Sequence, residues 1–282
     1  SWQRIGLSCQ SDSGMSGASR THFMSGNATI IAAEKLLGAM RKPDGTYRTY
    51  DEMKAEGLET KYFGTYSNTS LPGLCRLDPN TGIGDPTPAF TYCLNLAEVE
   101  VDTATGKTTV LRFTCVSDVG KVGNIDAVNG QAFGGISHAI GFALGENYDD
   151  VKKHTNIASS GVPYIETIPD EIEAIYYERP DEAGPFGSSG ASEGFQSSGH
   201  MAVLNAIYNA CGVRVHEMPA TPAKVKAGID TLAAGGKIEP PKKYFLGSDL
   251  YEELENIKAN PVKVGPEDYF IPLGGAAGER FF

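Results

Sequence analysis

The chain has 282 residues, 40% hydrophobic and 21% charged, which excludes a disordered tail or a coiled coil and allows one large domain or two modest ones. Its net charge of -11 disfavours nucleic acid as a partner, because phosphate binding needs clustered Lys and Arg side chains. No apolar run approaches the roughly 18 residues of a transmembrane helix, so we expect no membrane partner.

The cysteines indicate a reducing compartment. The chain has five of them, and no pair shows the Cys-x-x-Cys spacing of a metal or redox site. The odd number also argues against a disulfide framework, so we expect reduced, mostly buried thiols and a cytoplasmic protein. The chain starts at Ser1 without the apolar region of a signal peptide, which leads us to expect a fragment or a processed chain.

The N-terminal part is predicted to contain a loop, two helices and a β-hairpin. A Ser/Gly-rich loop covers residues 1–26, and apolar residues at helical spacing predict a helix over 28–40. A short helix is expected near 49–53. Over residues 90–118, Ala and Val alternate with Glu and Asp, and a turn with glycine follows, a pattern typical of a hairpin.

The C-terminal part alternates helices and strands. We predict a helix over 129–146, a strand over 171–178, a helix over 198–210, a short strand over 213–215 and a helix over 222–234. This order favours an α+β fold, with mixed sheets and packed helices, over a doubly wound sheet.

Two regions are expected along the chain. Residues 1–235 carry most of the predicted elements, whereas residues 236–282 carry a last helix over 248–259 and an extended tail. Within the first region, Gly134, Gly135 and Gly141 lie in a predicted helix, where each glycine costs about 1 kcal/mol relative to alanine. We therefore expect another group to pack very close to that helix.

Three loops of small residues, 13–20, 118–124 and 184–194, each precede a predicted helix. Small residues let several backbone N–H groups point the same way, and a helix N-terminus adds partial positive charge. Such loops can hold a phosphate without many basic side chains. None of them matches the P-loop or the GxGxxG fingerprint, so ordinary tight turns remain an alternative.

Glu193 is the candidate catalytic residue. It follows a run of small residues that would let its carboxylate approach a ligand closely, and a buried carboxylate can serve as a general base. A solvated loop glutamate, or an acid that interacts with a helix dipole, is the alternative. The five histidines show no HxH or HxxxH spacing, so we expect no protein-ligated metal.

Taken together, the motifs resemble the xanthine oxidase family of molybdenum hydroxylases, and most closely the C-terminal part of the molybdenum domain of bacterial aldehyde oxidoreductases. The similarity extends over residues from about 11 to 230. It is carried by four ordered segments: Ser13 to Ala28, Ala97 to Gly120, Asn124 to Glu146 with its Gly130-Gln131-Ala132-Phe133-Gly134-Gly135 run, and Gly184 to Glu193.

The resemblance implies a molybdopterin cofactor, in its dinucleotide form, and the C-terminal half of a molybdopterin-binding domain over residues 1–235. Glu193 matches the family's glutamate beside the molybdenum, the base for hydroxylation of an aldehyde or N-heterocycle with water as oxygen source. The implied cofactor-binding residues are Gly17, Ala18, Ser19, Arg20, His22, Val122, Gly123, Asn124, Gln131, Gly190, Ala191 and Ser192. The metal itself would be held by the cofactor.

This chain departs from the family pattern in two ways. Ser192 stands where the family usually has glycine, and the iron–sulfur motifs and earlier molybdenum-domain segments are absent from these 282 residues. We therefore expect the remainder of the molybdenum domain and the iron–sulfur centres on the same longer chain or on separate subunits. A non-catalytic structural or assembly subunit, and an unrelated phosphate-binding module, remain the alternatives.

Overall fold

A computed structural model describes residues 17, 19–67, 78, 83–84, 90–240, 252, 255–256 and 258–260. The chain divides into two compact units, Ser1–Gly236 and Lys237–Phe282. In the second unit, the described residues 252, 255–256 and 258–259 are helical. The predicted tail beyond residue 260 lies outside the described residues.

The first unit begins with two helices. A five-residue π-helical turn, Thr21–Ser25, runs directly into α1, Gly26–Met40, so the helix begins earlier than the sequence pattern predicts. α2 is Tyr50–Ala55, and a capping box between Thr49 and Glu52 satisfies its first N–H groups.

The sheet has three strands in the order β1-β2-β3. β1, Tyr92–Val101, pairs with β2, Thr108–Asp118, as the predicted antiparallel hairpin, and β3, Glu171–Tyr176, lies parallel to β2. Alternation turns one face inward, where Phe113 is fully buried. The mixed sheet and its helices confirm the α+β prediction.

Three further helices pack in the first unit. α3 is Ile125–Leu144, α4 is Gly199–Cys211 and α5 is Pro222–Ala233. α3 begins four residues before its predicted start, because Asn124 accepts a hydrogen bond from the Ala127 N–H at 3.0 Å and so caps the helix. None of the helices in the described part of the chain has both the length and the apolar composition to cross a membrane.

The predicted short strand over 213–215 is wrong. These residues have no strand conformation and follow Gly212, whose left-handed backbone ends α4. Val213 is 2% exposed, so the apolar pattern of this segment reflects burial in the core without sheet pairing. Val215 packs against the main hydrophobic core, which includes fully buried Phe195, Val203, Ile207 and Val225.

Two of the glycines in α3 lie close to other parts of the protein, and two have open space beside them. A Cβ atom on Gly135 would lie 2.6 Å from the Cβ atom of Phe195, and one on Gly141 would meet the Glu146 side chain and Pro163. Neither Gly130 nor Gly134 would bring a Cβ within 4 Å of another atom. The sequence predicted that a group packs very close to this helix. At Gly135 and Gly141, that group is another part of the same chain.

We expect Gly135→Ala to destabilise the chain by about 1–3 kcal/mol, because the new methyl group overlaps buried Phe195. The neighbouring Gly134→Ala is the matched control, since it adds the same methyl group in open space and improves helix propensity. Urea unfolding measures both free energies of unfolding. Equal stabilities for the two variants would contradict the observed packing.

Candidate functional site

The loop 184–194, called the Glu193 loop below, is bonded to the segment that follows β2. Gly120 and Ser188 form an antiparallel bridge, and the Lys121 N–H donates to the Gly187 carbonyl at 2.7 Å. Gly120 has a φ of 70°, and a Cβ there would lie 2.5 Å from the Gly187 carbonyl oxygen. Only glycine allows this approach, which joins two of the three predicted loops.

On its other side, the Glu193 loop is bonded to Ser19. The Ser19 hydroxyl oxygen accepts from the backbone N–H groups of Ala191 and Ser192, both at 3.0 Å. It also lies 2.9 Å from the Ser192 Oγ. One side chain thus links the first predicted loop to the third, across more than 170 residues of sequence.

The turn that contains His22 adds further contacts to the Glu193 loop. The Ser188 hydroxyl donates to the Pro185 carbonyl at 2.7 Å, so it accepts from His22 Nε2 at 2.6 Å and His22 carries its proton on Nε2. The Asn27 side chain donates to the Ala183 carbonyl at 2.9 Å. The start of α1 is therefore bonded to the residue that directly precedes this loop.

Glu193 begins a single 3-10 turn, Glu193–Phe195, and its side chain is exposed. Its Oε2 accepts a hydrogen bond from the Ser192 hydroxyl at 2.7 Å. Two residues later, Phe195 is fully buried, with its ring edge-on to Tyr176 at 6.2 Å. A rigid anchor thus fixes the backbone that presents an accessible carboxylate.

Val122 and Gly123, both implied as cofactor-binding residues, differ in the structure. The Val122 N–H donates to a carboxylate oxygen of Glu178 at 3.3 Å, and Lys121 pairs with the same carboxylate at 2.8 Å. The hydrogen bond from Lys121 lowers the pKa of Glu178. Gly123 is exposed, with no atom within 4 Å of the position of a Cβ. The backbone is open at Gly123, while the Val122 amide already has a partner.

The other predicted residues that the structure describes have local roles or exposed positions. Asn124 caps α3 and Gln131 is exposed on it; in the described part of the chain, no hydrogen bond joins either to the Glu193 loop. Gly17 and Arg20 are exposed and form a turn, in which the Arg20 N–H donates to the Gly17 carbonyl at 3.0 Å. Ala18 lies outside the described residues.

Cys93 on β1 is a chemically distinctive residue that the sequence patterns did not single out. Its Sγ lies 3.0 Å from the Ser117 Oγ, and a Cβ on Gly194 would be 3.6 Å from that sulfur. Hydrogen bonds from Cys115 first, and from Ser117, lower the pKa of Cys93 to about 7, while the same pairing raises the pKa of Cys115. The register of the hairpin, which places these side chains on one face, was the available signal.

Two buried serine hydroxyl groups suit contact with a polar ligand. Among the described residues, no three His, Cys, Asp or Glu side chains form a group that could hold a metal ion. The hydroxyl oxygens of Ser25 and Ser189 are buried and have no hydrogen-bond partner within the described ranges, and the whole of Ser189 is only 5% exposed. Buried polar atoms of this kind suit a bound ligand or water.

A sequence profile for the family described as "Molybdopterin cofactor-binding domain" matches residues 8–169, more than half of the chain. The Glu193 loop lies beyond that match. Similarity to individual relatives extends further along the chain and includes solved structures.

The chain is 44% identical over 214 residues to an aldehyde oxidoreductase of Megalodesulfovibrio gigas, covering 76% of this chain and 23% of the relative. It is 32% identical over 151 residues to a probable hypoxanthine oxidase, XdhD, of Escherichia coli K12, covering 52% of this chain and 16% of the relative. The structure of the aldehyde oxidoreductase from Desulfovibrio gigas matches with a TM-score of 0.73 and 43% identity, over 77% of this chain and 24% of that one.

The chain therefore belongs to the molybdopterin cofactor-binding domain family, within the xanthine oxidase family of molybdenum hydroxylases. This confirms the resemblance drawn from the sequence. The chain spans about a quarter of the length of the aldehyde oxidoreductases that it matches.

We expect the alkylation rate of Cys93 by iodoacetamide to rise with pH and to reach half its maximum near pH 7, because the thiolate is the reactive form. Ser117→Ala should move this midpoint upward, since the hydrogen bond with Ser117 is one of the contacts that lower the pKa of Cys93. Peptide mass spectrometry measures the rate, and Ser137→Ala is the control. A midpoint near the ordinary thiol value of about 8.5 in the unaltered chain would contradict the described hydrogen bonding.

Proposed function

We propose that this chain forms the C-terminal part of the molybdenum domain of an oxidoreductase that hydroxylates an aldehyde or an N-heterocycle with water as oxygen source. In this proposal, residues 1–235 contribute the cofactor-binding part and residues 236–282 a helix and an extended tail. The observation that carries the proposal is that the Glu193 loop is hydrogen bonded both to the Ser19 hydroxyl and to the backbone on either side of Gly120. It holds an exposed carboxylate among three loops suited to an anionic ligand.

The predicted cofactor-binding residues other than those of the Glu193 loop would hold the pterin dinucleotide. Gly17, Ala18, Ser19, Arg20 and His22 would lie along its nucleotide end, and Gly123, Asn124 and Gln131 along its pterin and phosphates. The open space at Gly123 and the unpartnered hydroxyl of Ser189 support this, because backbone amides and hydroxyls bind phosphate oxygens. Gly190, Ala191 and Ser192 would face the reactive end, next to Glu193.

The proposed reaction needs a base and an electron acceptor. Oxidation of an aldehyde by water gives a carboxylic acid, two protons and two electrons. When bound, the molybdenum pterin would supply the two-electron redox chemistry, and iron–sulfur centres on other domains or subunits would accept the electrons. The Glu193 carboxylate would accept one of the two protons as the water-derived oxygen bonds to the substrate carbon, and the second proton would leave to solvent as the electrons are passed on.

The position of Ser192 bears on the alternative of a non-catalytic subunit. A serine in place of the family's usual glycine would favour that alternative if its side chain displaced the carboxylate. Its hydroxyl instead donates to Glu193 at 2.7 Å. This contact supports a working base at residue 193.

The outer face of the sheet supports a larger assembly. Leu94 and Leu96 on β1 are 63% and 56% exposed, and Ile175 on β3 is 43% exposed. Leu94 and Ile175 are both paired with Val116 on β2, so they form one apolar row across the sheet. Contiguous apolar surface of this kind is typical of an interface, which the rest of the molybdenum domain would cover.

We expect Glu193→Gln to lower kcat/KM of the assembled enzyme by roughly 10²–10⁴-fold and to leave its molybdenum content unchanged, because it removes a base and no cofactor contact. Glu166→Gln, an exposed glutamate outside the three loops, is the matched control and should keep full activity. Steady-state kinetics and metal analysis test both. Full activity in Glu193→Gln would exclude the assignment of the base.

A further inference from the structure

The side chains of Ser19, Ser192 and Glu193 form a continuous line of short contacts. Ser19 Oγ lies 2.9 Å from Ser192 Oγ, which lies 2.7 Å from Glu193 Oε2. The same Ser19 oxygen accepts from two backbone N–H groups, those of Ala191 and Ser192.

The direction of each hydrogen bond follows from counting protons. An ionised carboxylate only accepts, so the single hydroxyl proton of Ser192 points to Glu193. The Ser192 oxygen must then accept the proton of Ser19. Backbone N–H groups donate to Ser19, Ser19 donates to Ser192, and Ser192 donates to Glu193. Hydrogen bonds aligned in this way polarise one another and strengthen the last of them.

The backbone conformation of Ser19 indicates that its surroundings fix this arrangement of hydrogen bonds. Its φ is 62°, in the left-handed region that residues other than glycine rarely adopt. Strain of this kind persists only where the surroundings fix it, and it is concentrated at functional sites. Here the three contacts of the Ser19 hydroxyl hold the residue in place, together with the hydrogen bond from the Phe23 N–H to the Ser19 carbonyl at 3.1 Å.

We infer that Ser19 and Ser192 are positioning residues that hold the Glu193 carboxylate in its reactive orientation through this serine relay. The inference rests on the proposed role of Glu193 as the base. The relay connects the base directly to the first loop, so the placement of a cofactor on that loop and the orientation of the base become coupled. The serine at position 192 makes this connection possible, because a glycine there has no hydroxyl to carry it.

The relay predicts a specific pattern among serine variants of the assembled enzyme. Ser192→Ala should lower kcat about tenfold with KM changed less than about twofold, because a hydrogen bond to a charged group is lost at the base and no substrate contact changes. Ser192→Thr retains a hydroxyl and should restore most of kcat. Ser19→Ala should lower kcat in the otherwise unaltered enzyme, and by a smaller factor when Ser192 is already alanine, because Ser19 acts through Ser192. Ser197→Ala is the matched control, since its hydroxyl donates to the Gly194 carbonyl and not to Glu193.

A second measurement needs no cofactor. Reaction of the 282-residue chain with a water-soluble carbodiimide and glycinamide labels carboxyl groups, and peptide mass spectrometry gives the rate at Glu193. Loss of the donor should speed labelling about threefold or more in Ser192→Ala but not in Ser192→Thr or Ser197→Ala, because a donated hydrogen bond shields the carboxylate and stabilises its ionised form.

Unchanged kcat and an unchanged labelling rate in Ser192→Ala would overturn the relay. If Glu193→Gln is inactive in the same experiment, the proposed function stands without the relay. If Glu193→Gln is fully active, the proposed function fails, and the relay, as a device that positions a base, fails with it.

Discussion

The structure around Glu193 depends on a loop that is held from both sides. Backbone hydrogen bonds at Gly120 join it to the segment after β2, and the Ser19 hydroxyl joins it to the turn before α1. Buried Phe195 fixes the chain directly after it. A run of glycine, serine and alanine loses much conformational entropy when it adopts one shape, and these contacts offset that cost. With them, it presents a carboxylate in a defined place.

Small residues are needed because backbones approach one another so closely. A side chain at Gly120 would collide with the Glu193 loop, and one at Gly135 would collide with Phe195. Gly199, at the start of α4, similarly packs against Ala139 of α3. Gly135 thus lets α3 pack against Phe195, directly after the Glu193 loop, and Gly199 lets α4 pack against α3. The open glycines Gly123 and Gly134 leave surface for other groups.

Much of this organisation could be predicted from the sequence, because it depends on local patterns. The alternation in β1 and β2 predicted the hairpin, and Gly212 marked the end of α4. The start of α3 depended on one capping side chain, and the segment 213–215 was misread because buried apolar residues outside a sheet resemble a short strand. The meeting of the three loops joins residues distant in sequence, so composition and periodicity do not reveal it. The contact of Cys93 with Ser117 depends on the exact register of the hairpin, which alternation alone does not fix. Family resemblance indicated the first of these and gave no sign of the second.

The position of the metal relative to Glu193 is the most direct test of the proposed site. A crystal structure of the assembled, cofactor-loaded enzyme, with an anomalous difference map at the molybdenum absorption edge, gives that position. We expect the peak beside the Glu193 carboxylate, with the pterin phosphates on the loops that contain Ser19 and Gly123. A molybdenum peak bordered by none of these three loops would contradict the proposed site.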